Sequence, residues 1–532
     1  MKKRLLCILL SLCMILSCVA ATAFTASASE TSGEYGLAES CEDGNILHCF
    51  NWTLKQIKEE LPAIAAAGFT SVQTSPLQAH DGSSVWYWLY QPTGFTIGNE
   101  IGSYDDLKSL CTEADKYGVK IIVDVVANHL AGSNNGSWSG RIESSLRNAA
   151  YFHNQGACTD NNNRYDLTHK NIGMPDLNSE NADVQSKVAA LVASLKSAGV
   201  DGIRWDAAKH IGLPSEDCNF WPAVTDGELY HYGEILNAPA GNSADSINNA
   251  LIAEYAEYLG VTDETYSATI TTAIRDGNVA KSKGNWTLRG VSADKVVYWG
   301  ESHDTYSNTD GWTKNLDQNV IDRAYAILGA RAGSQALYLS RPSEKNYISI
   351  TAARKGSTHF TSPEVAAVNR FHNAMAGTAE AYGTASGCYV VCREGGAVIV
   401  GAKGADFDVS VRNINGLVPT GAYTDEVSGG SFTVDGSTIS GHIGSTGIAV
   451  IYKPIAEKEL ILGDADEDGK VTILDATAIQ RHLAGLDTLS ANALTAANAD
   501  GKGAVTILDA TEIQRHLAKL PANESIGKAV SR

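Results

Sequence analysis

From about residue 43 to 377, short apolar runs alternate with helix-length amphipathic stretches. Strands and helices that take turns in this way predict a parallel β/α architecture. Residues 45–51, 69–76, 120–126, 200–206 and 295–300 read as strands. Ahead of the fourth of these runs, Val184, Val188, Leu191, Val192 and Leu195 recur at helical spacing and Gly199 stops them, so the intervening element is a helix. Length and alternation together predict a (β/α)8 barrel. An open doubly wound sheet would carry a Gly-rich nucleotide turn after its first strand, and this chain has none there.

Spacing predicts an insertion. Barrel units average about 30 residues, yet 82 positions separate Asp124 on the third predicted strand from Asp206 on the fourth. The stretch 130–178, rich in Asn, Gly and Ser, is the expected irregular excursion within the 43–377 barrel. After 378 the pattern changes to short alternating runs punctuated by glycine, such as 396–400, 407–411, 431–434 and 447–452. That predicts an antiparallel β-sandwich over 378–454. A short charged linker, 455–462, leads to a duplicated unit over 463–521, in which VTILDAT followed by IQRHLA occurs at 471–484 and again at 505–518.

The N-terminus adds a location. Lys2, Lys3 and Arg4 precede an apolar run that ends near small residues at Ala26-Ser27-Ala28, the make-up of a secretory signal cleaved after residue 28. No later stretch approaches about 20 continuous apolar residues, so no transmembrane segment is expected. The formal charge of −19 over 532 residues repels phosphate backbones and argues against nucleic acid as a partner, whereas a neutral polymer is not repelled. Seven cysteines lie beyond the signal, an odd number without regular spacing. They do not read as a disulfide framework, and Cys388 and Cys392 stand too far apart along one predicted strand to pair.

Candidate chemistry sits where the predicted strands end. The third continues as Asp124-Val125-Val126-Ala127-Asn128-His129 and the fourth as Arg204-Trp205-Asp206-Ala207-Ala208-Lys209-His210. Arg204 and Asp206, two apart, project to one side of a strand, and a guanidinium beside Asp206 is expected to keep it ionised, as a nucleophile requires. Glu234 follows one barrel unit later and His303-Asp304 about two units after that. Three carboxylates are thus expected at the C-terminal rim, where barrel enzymes do their chemistry.

These four blocks, in this order, resemble the four conserved regions of the α-amylase family of glycoside hydrolases. The resemblance covers about residues 43 to 455, and Trp86, Tyr90-Gln91-Pro92 and the stretch 292–306 are especially similar to the short extracellular α-amylases of the bacilli. It implies Asp206 as nucleophile, Glu234 as acid/base and Asp304 as the carboxylate that stabilises the transition state. A retaining mechanism of this kind needs two carboxyl groups about 5 to 5.5 Å apart, one ionised and one protonated. The same resemblance implies sugar contacts from Trp86, Tyr90, Gln91, His129, Arg204 and His303, with Tyr90 as the stacking face. Lys209-His210 resembles the pair of α-1,4-acting members. Endo-hydrolysis of starch and related α-1,4-glucans is the expected activity. Transglycosylation and a non-catalytic glucan-binding role are the alternatives.

Calcium is the expected cofactor. The resemblance implies Asn128 and Asp176 as side-chain ligands and the carbonyls of His210 and Thr168 as further ones. In the repeat, Asp464, Asp466, Asp468, Lys470 through its carbonyl, Thr472 and Asp475 stand at positions 1, 3, 5, 7, 9 and 12 of an EF-hand-like calcium loop. The second copy offers Asn498, Asp500, Thr506 and Asp509, but Lys502 takes position 5, and an ammonium cannot ligate calcium. Loop plus exiting helix, duplicated, resembles a dockerin, which implies a cohesin domain of a scaffoldin as partner and an extracellular or cell-surface complex as the setting.

Overall fold

The computed structural model describes residues 35–132, 138–225, 227–281, 290–333, 335–453, 460–466, 468–487, 489 and 491–530. The expected export signal, 1–28, and most of the linker at 455–462 lie outside the described residues. The chain divides into two compact units, Met1–Lys453 and Pro454–Arg532.

Eight parallel strands close a barrel in the first unit: β1 Ile46–His48, β2 Ser71–Gln73, β3 Lys120–Val126, β4 Gly202–Asp206, β5 Tyr230–Gly233, β6 Gly260–Thr262, β7 Val296–Trp299 and β8 Gln335–Leu339. Each pairs with its neighbour in sequence, and β8 returns to β1. Strands covered on both faces carry near-continuous apolar sequence, as β3 does, with every residue after Lys120 buried. The helices obey local rules. Thr53 and Gln56 form a reciprocal capping box that opens α1, Leu54–Ala66. Further on, α2 is the short Arg164–His169, and α3, Ala182–Ser197, is capped by Asn181 and followed by Gly199 at φ +92°, a conformation that L side chains disfavour.

Several strands are shorter than their apolar runs. Residues 49–51 lie outside β1 and 74–76 outside β2, although the Cys49 and Thr74 N–H groups still donate to the neighbouring strands' carbonyls at Gln73 and Ile122. After β2 the chain makes an excursion that the hydrophobic pattern did not announce. A three-stranded sheet of Gln78–His80, Pro92–Asn99 and Gly102–Ser103 frames a short 3-10 helix, Trp86–Tyr90. The insertion after β3 is irregular, as its composition predicts. It is tied back by isolated bridges at His129–Asp176 and Phe152–Leu177 and by a small apolar cluster that includes Leu130, Ile142, Leu146 and Phe152.

Two four-stranded antiparallel sheets follow. The first has the order β9 Glu380–Ala385, β10 Cys388–Arg393, β11 Gly396–Gly401, then the last strand β16 Ile448–Tyr452; the second orders β12 Phe407–Arg412, β15 Thr438–Ile443, β14 Ser431–Val434 and β13 Gly421–Thr424. Val390, Ile399, Val411, Phe432 and Ile439 meet in the core between them. The second unit pairs α4, Ile473–Leu483, with α5, Ile507–Leu517, through Ala476, Ile479, Ala510 and Ile513. All seven described cysteines are free. Among the described residues, no helix is long and apolar enough to cross a membrane.

Candidate active site

Strand register builds the centre. Asp124 lies opposite Arg204 across β3 and β4, and Arg204 lies opposite Tyr232 across β4 and β5. Arg204 is buried beneath the rim and its planar fork joins three carboxylates. Nη1 donates to Asp206 Oδ1 at 2.7 Å and to Asp124 at 2.9 Å, while Nη2 donates to Glu234 Oε2 at 3.0 Å. One rigid group therefore holds Asp206 and Glu234 side by side. Ala207, at φ +50°, turns β4 out of the sheet so that its N–H also reaches Glu234 Oε2, at 3.0 Å. A non-glycine residue in that conformation stores backbone strain, and here the strain aims a donor at a candidate acid/base.

The charge states differ from those expected of Arg204 acting alone. Burial pushes Asp206 up to about 7, against the pull of Arg204 and with added repulsion from Glu234 and Asp124. Burial likewise lifts Asp304 to about 7 and Asp124 to about 6. Glu234 is also buried, but Arg204, the Ala207 N–H, His303 and Lys209 outweigh that penalty and hold it below its ordinary value. Burial and the neighbouring acids thus oppose the pull of Arg204 on Asp206, while Glu234 is held low. One guanidinium cannot neutralise four neighbouring acids in a low-dielectric pocket.

The rim residues gather around this centre. Tyr90 stacks on His303 with ring centroids 5.4 Å apart and planes 9° apart, and its hydroxyl donates to Asp124 at 3.0 Å. His129 Nε2 lies 3.0 Å from the Tyr90 carbonyl, and Trp86 packs edge-on against both Tyr90 and His303. Asn308 Nδ2 donates to Asp304 Oδ1 at 3.0 Å. Trp86, Tyr90, Gln91, His129, Lys209 and His210 line one cleft with Asp206, Glu234, His303 and Asp304, and Arg204 lines the adjoining recess with the last three. The structure thus brings together every predicted catalytic and sugar-contact residue. Sequence reasoning did not single out Asp124 or Asn308. An aspartate inside the apolar run Lys-Ile-Ile-Val-Asp-Val-Val was the available signal for the first; nothing marked the second.

The calcium candidates form two groups. Asn128 and Asp176 are adjacent and buried, and the side chain of Asn128 bonds that of Asp176. The ring Nδ1 of His210 donates to the Leu167 carbonyl at 2.9 Å, which draws the end of α2, with Thr168, to the same corner. These hard oxygen donors suit calcium, although one Asp176 oxygen is also held by His153 Nδ1 at 2.6 Å. In the second unit the fit is better. One carboxylate oxygen each from Asp464, Asp466 and Asp468 lies within 4.8 Å of the others, and the buried Oδ1 of Asp464 has no hydrogen-bond partner. A buried carboxylate oxygen left bare is costly unless a cation completes it. Thr472 and Asp475 are committed to capping α4, which holds Asp475 against the loop. In the second loop Asp509 plays the same capping part for α5 with Thr506, and Lys502 Nζ stands 4.0 Å from Asp500. Asp464→Ala is expected to weaken calcium binding at the first loop by about 100-fold or more, read by calcium titration of the full chain; Lys502→Asp is expected to tighten the second.

A buried arginine that binds three carboxylates at the floor of an aromatic-walled cleft defines a carboxylate-dependent barrel enzyme. Residues 37–277 form a domain of the α-amylase family of glycoside hydrolases, matching the family described as alpha amylase, catalytic domain. Residues 462–518 match the family described as dockerin type I domain. An alpha-amylase of Clostridium acetobutylicum is 36% identical over 442 residues, which cover 78% of this chain and 55% of that protein. The chain spans about half the length of the curated relatives it matches first. Among solved structures, wild-type alpha-amylase I from Eisenia fetida has a TM-score of 0.63 at 19% identity, covering 79% of this chain and 97% of that one. A second, CldA, described as a cyclomaltodextrin glucanotransferase with a three-domain ABC distribution, has a TM-score of 0.59 at 16% identity, covering 77% and 99%.

Proposed function

We propose that this chain is a secreted, retaining α-amylase that cuts internal α-1,4-glucosidic bonds of starch-like glucans and is held by its dockerin on a cohesin-bearing scaffoldin. The observation that carries the reading is the single Arg204 fork holding Asp206 and Glu234 side by side at the cleft floor. In this reading Asp206 attacks the anomeric carbon while the proton on Glu234 passes to the departing glycosidic oxygen. Water then gives a proton to Glu234 and its oxygen to the same carbon, which frees Asp206 with the configuration retained. For this step Glu234 needs one proton and Asp206 must be ionised, so one proton of the carboxylate cluster moves to Glu234 when the sugar binds, and any other leaves to solvent. Arg204 is then left facing an Asp206 carboxylate that the sugar ring shields. Tyr90 offers the ring face, with His129 and His303 beside it for the hydroxyls. Calcium at Asn128 and Asp176 would fix the insertion against the end of β3.

The test is amylose digestion in calcium, following chain length and the anomer released. Rapid shortening with α-anomer first supports the reading; β-anomer sinks the retaining mechanism, and release of short sugars from chain ends alone sinks endo action. Bound but uncut amylose would leave only a binding role. The barrel-plus-insertion-plus-sandwich plan does not by itself separate hydrolysis from transglycosylation, so cyclic products would point to the latter.

One consequence concerns pH. The acid step needs a proton within the carboxylate cluster, and the highest members, Asp206 and Asp304, release theirs near 7. Above that pH the cluster is fully ionised, so kcat/KM is expected to fall through about pH 7 on the alkaline side, checked by a pH–rate profile on a soluble maltooligosaccharide. For the partner, Ile473, Leu474, Ile507 and Leu508 are all more than half exposed, at matching places at the starts of α4 and α5. Two equivalent apolar patches of this kind are unusual on a free surface and suit a cohesin; loss of cohesin binding on calcium chelation is the expected result.

A further inference from the structure

Three titratable side chains meet where the insertion joins the barrel, away from the carboxylate cluster. We propose that His153, His169 and Glu180 form a site for a zinc-class transition-metal ion, separate from the oxygen-lined calcium position, that pins the insertion to the start of α3.

The three side chains come from separate segments: His153 from the loop after Phe152, His169 from the last residue of α2, and Glu180 from the residue before the Asn181 cap of α3. One ligand atom from each lies within 4.8 Å of the others. His153 Nε2 is 2.6 Å from Glu180 Oε2 and His169 Nε2 is 3.7 Å from Glu180 Oε1. Ligands around a tetrahedral ion at 2.0–2.1 Å stand roughly 3.4 Å apart, a value these two separations bracket.

Orientation is the stronger argument. Each histidine has its other nitrogen engaged: His153 Nδ1 by Asp176 Oδ2 at 2.6 Å and His169 Nδ1 by the Thr168 hydroxyl at 2.8 Å. Metal-binding histidines are held in this manner, with an outer oxygen fixing ring and tautomer so that the remaining nitrogen faces the ion. Packing fixes the rings further. Tyr165 stacks on His169 with centroids 4.0 Å apart, and the two imidazoles lie 4.8 Å apart. Glu180 remains partly open to solvent, which leaves a fourth position for water. Two imidazoles and one carboxylate suit zinc or cobalt, whereas calcium takes six to eight hard oxygens. Arrival of the ion replaces the His153–Glu180 hydrogen bond, and the proton in it leaves to solvent. A cluster elsewhere, Asp322, His359 and Glu364, lacks this build: it has one imidazole, and Tyr338 and Gln318 already donate to Asp322.

The experiment uses the full chain saturated with calcium, so that the oxygen-lined loops are filled, and titrates it with Zn2+ by calorimetry and with Co2+ by visible absorption. The expected result is one equivalent of Zn2+ and a Co2+ spectrum of a four-coordinate, nitrogen-containing site. His169→Gln and Glu180→Gln should each lower Zn2+ affinity by about 100-fold or more, and Thr168→Val, which removes only the outer hydroxyl, by about tenfold to 100-fold. No Zn2+ uptake by the wild type, equal affinity in His169→Gln and Glu180→Gln, or displacement of Zn2+ by excess calcium would each overturn the proposal. These readouts are independent of glucan cleavage.

Discussion

Asp206→Asn is expected to lower kcat on amylose by about 10^5-fold while amylose binding and the barrel survive. The amide matches the carboxylate in shape and can still accept from Arg204 Nη1, but it cannot form the glycosyl ester. Folding is not expected to suffer, because the wild-type carboxylate is itself a burden. Its value in the folded chain, about 7, lies above the ordinary 3.8. A group raised in this way adds stability that is fully present below its unfolded value and is lost as pH rises through the folded one. Wild-type melting temperature should therefore decline between about pH 4 and 7, and the decline should be shallower in Asp206→Asn. Thermal melts across that range, beside reducing-end assays, test both parts. A variant that keeps more than about a hundredth of the activity would remove Asp206 from the nucleophile's role.

The barrel was legible because a parallel sheet covered on both faces writes itself as continuous apolar runs, and β3 coincides with its run residue for residue. The sandwich was legible for a different reason: alternation in runs such as Phe407–Arg412 marks strands with one wet face. Strand ends were not legible, since Phe50 and Pro76 are as apolar as the strands they follow yet lie outside the sheet. The excursion that carries Trp86 and Tyr90 has no period of its own, so those residues came from family resemblance and not from pattern. The candidate carboxylates were placed by motif, but their electrostatics were not. Arg204 beside Asp206 suggests an ionised pair in a two-residue view, and the opposing push of burial and repulsion enters only when register adds Asp124 and Glu234. The Lys502 substitution was visible at once because loop positions are counted, not folded. The His153–His169–Glu180 cluster spans 28 residues of irregular chain, and nothing in sequence spacing foretells which irregular segments meet.

Arg204→Leu is the substitution expected to cost the fold most. Its guanidinium is the cation that touches Asp124, Asp206 and Glu234; the first two are buried and Glu234 is partly exposed. Removing the partner of a buried ion cluster leaves uncompensated charge, a loss of about 3–5 kcal/mol. The orphaned acids can relieve part of this by taking up protons, which comes readily to Asp124 and Asp206, already raised to about 6 and about 7. Glu234, held low chiefly because Arg204 offsets its burial, should rise sharply once the guanidinium is gone. The destabilisation should therefore be largest near pH 8 and shrink towards pH 5, where neutral carboxyls no longer repel. Arg204→Lys should fall between the two: an ammonium restores the charge but, as a point donor, cannot span three carboxylates that now share one planar fork. Calorimetric melting of the barrel transition at pH 5 and pH 8 measures the difference. A leucine variant equally stable at both would mean that Arg204 holds the fold by packing its stem, with the carboxylates solvated by water in the cleft.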